Sequence, residues 1–236
     1  MVTFSQSRPN TMEVAAAFGF SILCIAQFIG PLSGGHINCA VSLALFIGGR
    51  ISFLRLCCYT LCQMLGSVIG AVVLLMIFGK NWPGATSLAS NSWDEEVFTG
   101  GQVFLAEMFG TMLLVYAVLS TLDQPSKSNN LGPFPIAMSV MVSMIFLLPI
   151  DGCSINPTRS FGPSTVAAMA GIPGVYRTQQ YMFWFAPLFG AFVASIIYHK
   201  SVVIVMKPGA DEEEQGIGIH LGRDATVVDD DYKNIR

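Results

Sequence analysis

Charge is what this sequence has least of: Asp, Glu, Lys and Arg make up 11% of its 236 residues, against about 25% in soluble domains. With 53% hydrophobic residues and a mean hydropathy of +0.59, so few charges exclude an ordinary water-exposed surface and place the chain in a lipid bilayer. Basic clusters are also absent. Twelve Lys and Arg face fifteen Asp and Glu, a net charge of -3, and no stripe of them follows a phosphate backbone, so nucleic acid is excluded as a partner. The six cysteines, Cys24, Cys39, Cys57, Cys58, Cys62 and Cys153, lie in or beside apolar runs without zinc-ligand spacing. They read as small packing residues, with acylation of Cys57 and Cys58 left open if these two lie near a membrane surface. No Ser/His/Asp set, paired carboxylates at one depth or phosphate-cradling glycine loop is legible, which leaves no basis for an enzyme, a cofactor or a metal. The stretch from Met1 to Asn10 is polar, and the apolar run behind it continues past any small-residue cleavage point, so no cleavable leader is expected.

What is present is a repeat. Ser33-Gly-Gly-His-Ile-Asn-Cys-Ala-Val-Ser42 and Asp151-Gly-Cys-Ser-Ile-Asn-Pro-Thr-Arg-Ser160 match at Gly34 with Gly152, Ile37 with Ile155, Asn38 with Asn156 and Ser42 with Ser160. Each copy sits at a glycine-bearing break in an apolar chain, which points to a duplicated unit.

A bilayer core about 30 Å thick needs roughly 20 apolar residues per helix. Five stretches meet that length: Met12 to Pro31, Phe53 to Phe78, Gln102 to Leu122, Pro133 to Ile150 and Gln180 to Met206. Asn38 to Ile47 and Asn156 to Met169 are too short to cross, and each follows one copy of the repeat. They read as half-helices of re-entrant loops, whose irregular backbone requires protein or a water-filled cavity around it. Three spans separate the two loops, so the loops enter from opposite faces, as in the inverted repeats of channels and transporters. The expected fold is an all-α membrane protein with five full transmembrane helices and two re-entrant half-helices. By the chain's own symmetry, the first half lacks an opening helix.

Residues 1–11 read as a short N-terminal segment, 12–206 as the channel domain and 207–236 as an acidic flexible tail, solvated or partner-binding. The connection Gly79 to Gly101 reads as a polar loop. Arg50, Arg55, Lys127, Lys200 and Lys207 fall on one side of the membrane and Arg8, Lys80 and Arg177 on the other. The positive-inside rule then puts the C-terminus in the cytosol.

An asparagine opening each half-helix can cap it with its side-chain oxygen and aim amide donors into a polar path. Two facing helix N-termini would orient water oxygen inward and oppose cations. A purely capping role for Asn38 and Asn156 is the rival reading. Arg159, an ionised group at membrane depth, either excludes cations and donates to a passing solute or ties down loop carbonyls. Glu107 is expected to accept hydrogen bonds from loop amides, and His36 either lines the path or is a satisfied loop histidine. The near absence of membrane-embedded carboxylates argues against an ion-coupled transporter.

At these residues the sequence resembles the aquaporin (major intrinsic protein) family from roughly Val14 to Tyr198. The resemblance starts at the second of that family's six helices, so the first transmembrane helix is not in it. It is carried by Ser33-Gly-Gly-His-Ile-Asn38, Ala106-Glu107-Met-Phe-Gly110-Thr111, Ile155-Asn156-Pro157-x-Arg159-Ser160-Phe161-Gly162-Pro163 and Phe183-Trp184-x-x-Pro187. The family's paired Asn-Pro-Ala motifs then fall on Asn38-Cys39-Ala40 and Asn156-Pro157-Thr158, both altered. Its outer constriction of aromatic groups and an arginine falls by position on Phe18, Phe146, Cys153 and Arg159. Ser160 looks like the water-selective branch, as does Cys153, where that branch often has a cysteine blocked by mercurials. The resemblance implies passive passage of water or a small neutral solute, a homotetramer, and residence in the lipid bilayer of the plasma membrane. The alternative implied by the altered motifs is a truncated, non-conducting subunit serving as a membrane scaffold or hetero-oligomer partner.

Overall fold

In a computed structural model, residues 10–79, 86–123, 132–172 and 177–206 are described. The basic residues Arg8, Lys80, Lys127 and Lys207, most of the N-terminal segment and the whole of the proposed tail lie outside that set. The helices are α1 (Thr11–Ser33), α2 (Cys39–Ile47), α3 (Phe53–Phe78), α4 (Gly100–Asp123), α5 (Pro133–Asp151), α6 (Pro157–Met169) and α7 (Met182–Met206). Five of them, α1, α3, α4, α5 and α7, are long and apolar enough to cross a membrane. At 1.5 Å per residue, α2 and α6 reach only about 14 Å and about 20 Å, so both stop inside the bilayer.

Local chemistry sets the helix starts. The α1 N-terminus closes a capping box, with Asn10 Oδ1 accepting from Glu13 N at 2.8 Å and Glu13 Oε2 accepting from Asn10 N at 3.1 Å. Ser52 caps α3 through Arg55 N, and the half-helices α2 and α6 begin on Asn38 and Asn156.

The repeat is visible in the backbone. α1 and α5 each end two residues or fewer after an internal proline, Pro31 and Pro149, on a left-handed glycine: Gly34 at φ 83° and Gly152 at φ 82°. The chain then turns through Gly35 at φ 58° and Ile37 at φ 40° in one copy, and through Cys153 at φ 55° and Ile155 at φ 44° in the other. A β-branched residue at positive φ is strained, and persists only where its surroundings over-determine it. α1 packs across α5, and Gly19 lets the helices close: a Cβ there would meet the Met141 side chain at 2.9 Å. α3 lies on α6, with Ser67 Oγ donating to Thr158 O at 2.6 Å, and α7 is tied to α2 by Ser195 Oγ, which donates to Ala44 O at 3.0 Å. The largest core cluster joins α2, α4, α5 and the second loop through Leu45, Leu114, Val115, Leu119, Met144 and Ile155.

The connection between α3 and α4, expected to be a polar loop, is in part internal. Asn91 is fully buried and Trp93 nearly so. Asn91 Nδ2 donates to Asp151 O at 3.2 Å, and Trp93 N to Gln179 Oε1 at 3.1 Å. Its polar residues satisfy backbone that would otherwise be orphaned in an apolar setting.

Candidate functional site

The half-helices α2 and α6 meet N-terminus to N-terminus, joined by their first residues. Asn38 Oδ1 accepts from Ala40 N at 2.8 Å, and Asn156 Oδ1 from Thr158 N at 3.0 Å, so each asparagine caps its own helix. Each also donates across the junction: Asn38 Nδ2 to Ile155 O and Asn156 Nδ2 to Ile37 O, both at 2.9 Å. The capping reading and the donor reading thus both hold in part. One amide hydrogen of each side chain is committed to the cross-link, and the second remains for a solute.

Cys39 and Thr158 form a further link. Pro157 has no N–H to offer at the first turn of α6, whereas Cys39 has one, and it donates to Thr158 Oγ1 at 3.3 Å. Thr158 Oγ1 in turn donates to Gln63 Oε1 at 3.3 Å, and Gln63 Nε2 to Ser42 Oγ at 3.1 Å. Across the pair, the copy with the extra N–H faces the copy with the extra hydroxyl, while Pro157 lacks the N–H and Ala40 lacks the hydroxyl. Ser42 Oγ also meets His36 Nδ1 at 3.0 Å, and the His36 ring stacks on Tyr59 with centroids 4.2 Å apart.

The second loop is held from below. Glu107, fully buried on α4, accepts from Ser154 N and Ile155 N, one to each carboxylate oxygen, both at 2.6 Å. Asp151 Oδ1 accepts from Cys153 N at 2.9 Å. Ser160 Oγ lies 2.6 Å from Ser154 Oγ and donates to Asn91 Oδ1 at 2.8 Å. This network holds the strained backbone at Ile155 and so aims its carbonyl at Asn38.

Arg159 stands one turn along α6. Nη1 donates to Ala89 O at 2.6 Å and Nη2 to Gly152 O at 3.4 Å, while the guanidinium lies 5.4 Å from the centre of the Phe18 ring. Ser87, Leu88 and Ala89 all have positive φ, a tight turn that presents the Ala89 carbonyl. Arg159 therefore ties down loop carbonyls and also faces the path.

A cavity of about 490 Å³ runs from Phe18, Met144 and Arg159 past Asn38 and Asn156 to Pro31 and Gly132. Phe18 to Pro31 along α1 is about 20 Å at 1.5 Å per residue, two thirds of the roughly 30 Å of bilayer hydrocarbon. Between the polar groups its wall is apolar, with Ile22, Val140, Leu114 and Val118 among the lining residues.

The expected constriction needs one correction and one relocation. Phe146 does not border the cavity; it is 60% exposed on the outer face of α5, two residues round the helix from Met144, which is 1% exposed and does line the cavity. Counting along the span chose an aromatic residue, whereas at 100° per residue a shift of two reverses the side presented. Cys153 is fully buried in the core cluster rather than in the cavity wall. Phe18, His36, Asn38, Asn156 and Arg159 all border the cavity. Met144, Asn91 and Gln63 were missed: an apolar span residue and two loop or helix amides carry no motif, and only the three-dimensional contacts select them.

The model of the major intrinsic protein family matches residues 2–198. The chain is 36% identical to Aquaporin-5 of Ovis aries over 191 residues, covering 80% of this chain and 69% of that protein. It is 35% identical to Aquaporin-2 of Rattus norvegicus over 198 residues, covering 83% and 69%. Among solved structures, the aquaglyceroporin from Plasmodium falciparum superposes with a TM-score of 0.71 at 20% identity, covering 86% of this chain and 87% of that one, a likeness of fold.

Proposed function

Because the chain belongs to the major intrinsic protein (aquaporin) family and is a membrane channel for water or small solutes, we propose that water itself is the main permeant, moving down its osmotic gradient. The carrying observation is the crossed pair of asparagines, Asn38 and Asn156, each capping its own half-helix and bonded to the opposite loop. Their remaining amide hydrogens offer two donors to a passing water oxygen where the positive ends of α2 and α6 meet. A water oriented oxygen-inward there cannot accept and pass on a proton along a chain, and a cation is repelled. Arg159, with Phe18 against it and Met144 in the same wall, forms the selective neck in this reading. Cys39, Ala40, Pro157 and Thr158 shape the junction, while Glu107 and His36 support it. We further propose a homotetramer in the plasma membrane with the C-terminus in the cytosol, on the basis of family membership and the distribution of basic residues.

A second reading, a non-conducting subunit that works within a larger assembly, is favoured by one observation: Asn156, Thr158 and Arg159 also border a second cavity that opens between α1 and α3. Stopped-flow osmotic shrinkage of proteoliposomes separates the two. Shrinkage faster than empty liposomes supports the water channel; shrinkage at the lipid background, with the protein folded and inserted, supports the non-conducting subunit.

A further inference from the structure

Two acids, not one, grip the second loop. Glu107 of α4 accepts from Ser154 N and Ile155 N at 2.6 Å, one amide to each carboxylate oxygen, and Asp151 Oδ1 accepts from Cys153 N at 2.9 Å. Three consecutive amides are thus divided between two carboxyl groups, which brings the two groups within hydrogen-bond reach of each other. Both are buried, Glu107 fully and Asp151 to within 1%. The fourth oxygen of the pair, Asp151 Oδ2, has no donor aimed at it.

No cation is bonded to either acid. The groups beside Asp151 that can hold a charge are Glu107 of α4, Arg159 of α6 and the buried Cys153 thiol. Arg159 spends its donors elsewhere: Nη1 on Ala89 O and Nη2 on Gly152 O, while Nε finds no acceptor. From the α3–α4 connection come only the uncharged Asn91 and Ser92, which donate to the backbone oxygen of Asp151. Two ionised carboxylates against one arginine would leave a negative charge uncompensated at membrane depth. A hydrogen bond between two carboxyl groups, moreover, requires that one of them hold a proton. The repeat supplies an independent observation. Ser33 stands where Asp151 does, and its hydroxyl accepts from Gly35 N at 3.4 Å as Asp151 Oδ1 accepts from Cys153 N. A neutral oxygen performs that task at the matched turn, so the task itself calls for no charge.

We propose that Glu107 and Asp151 form a proton-binding site, in which Asp151 is a neutral carboxylic acid whose Oδ2–H donates to the Glu107 carboxylate. Glu107 keeps the charge because both its oxygens receive short amide bonds, whereas Asp151 receives one. With Arg159 the cluster then sums to zero. Asp151 is a positioning residue in this arrangement: its O–H holds Glu107 against the Ser154 and Ile155 amides, and Ile155 O in turn receives Asn38 Nδ2. Neither acid borders the cavity, so the proton is bound beside the path and not in it.

The test reads the proton itself, so a failure of the water-channel reading does not mimic it. Infrared spectra of the full chain in phosphatidylcholine proteoliposomes at neutral pH are expected to show the C=O stretch of a protonated carboxylic acid, apart from the carboxylate bands. The band is expected to move when aspartate alone carries ¹³C in its side-chain carboxyl, and to vanish in Asp151→Asn. That variant keeps an oxygen for Cys153 N and gains an N–H for Glu107, so it is expected to fold as the wild type does; the isotope label decides the question even if it does not. Linkage gives a second readout. At pH values where a free aspartate is ionised, unfolding releases the bound proton, so rising pH favours the unfolded chain. The unfolding equilibrium constant in mixed micelles is expected to rise about tenfold more per pH unit in the wild type than in Asp151→Asn. Absence of the band, a band that ignores the aspartate label or survives Asp151→Asn, or equal pH slopes would each overturn the proposal.

Discussion

At the scale of single residues, the junction of the half-helices turns on whether each exposed backbone donor finds an acceptor. The motif changes at Cys39 and Thr158 look independent in sequence but are bonded to each other in space. Thr158→Val keeps the shape and removes the acceptor, leaving the Cys39 N–H buried and unpaired, a loss of about 1–3 kcal/mol. In a Cys39→Pro background there is no N–H to orphan, so the same change is expected to cost less. A double-mutant cycle on unfolding in mixed micelles measures the difference, and strict additivity would refute the pairing. Arg159→Ala is expected to weaken exclusion of larger neutral or charged solutes while water still passes. A conducting variant with unchanged selectivity, measured by solute uptake into proteoliposomes, would remove Arg159 from the neck. Arg159, Asn38 and Asn156 were legible because polar groups in a membrane-length apolar chain stand out against their surroundings. Met144 was not, because an apolar residue in an apolar span acquires a role only from the side of the helix it occupies.

At the scale of elements, the five spans and both half-helices follow from apolar length and from the asparagine caps, and their boundaries agree with the helices to within a few residues. Which side each helix turns inward does not follow from length. On α5, Met144→Trp is expected to bring osmotic shrinkage down to the lipid background by filling the neck, whereas Phe146→Ala, on the outer face, is expected to leave it unchanged. The reverse result would restore Phe146 to the constriction. Helix contacts give a parallel contrast. Gly190→Ala forces its Cβ into the α4 backbone, with an expected loss of about 1–3 kcal/mol. Gly66→Ala meets open space and is expected to be neutral or to gain up to about 1 kcal/mol from helix propensity. Thermal unfolding of the two variants in the same detergent checks both signs.

At the scale of the whole molecule, two helix N-termini meeting inside the membrane predict water flux without proton flux. Proteoliposomes loaded with a pH-sensitive dye should show fast osmotic shrinkage and no proton leak above empty liposomes; a leak that rises with protein would contradict the opposed-dipole arrangement. The all-α membrane class, the inverted repeat and the re-entrant pair were determined by the sequence alone. Each rests on one-dimensional quantities: apolar run length against bilayer thickness, a repeated ten-residue pattern, and the count of spans between its copies. The tertiary structure alone decided that Cys39 answers Thr158, that Met144 rather than Phe146 borders the cavity, that Asn91 and Trp93 turn inward, and that both carboxylate oxygens of Glu107 are taken by the amides of Ser154 and Ile155. Hydrogen bonds and facing sides depend on distance and direction between residues far apart in the chain, and neither quantity is carried by composition or by local pattern.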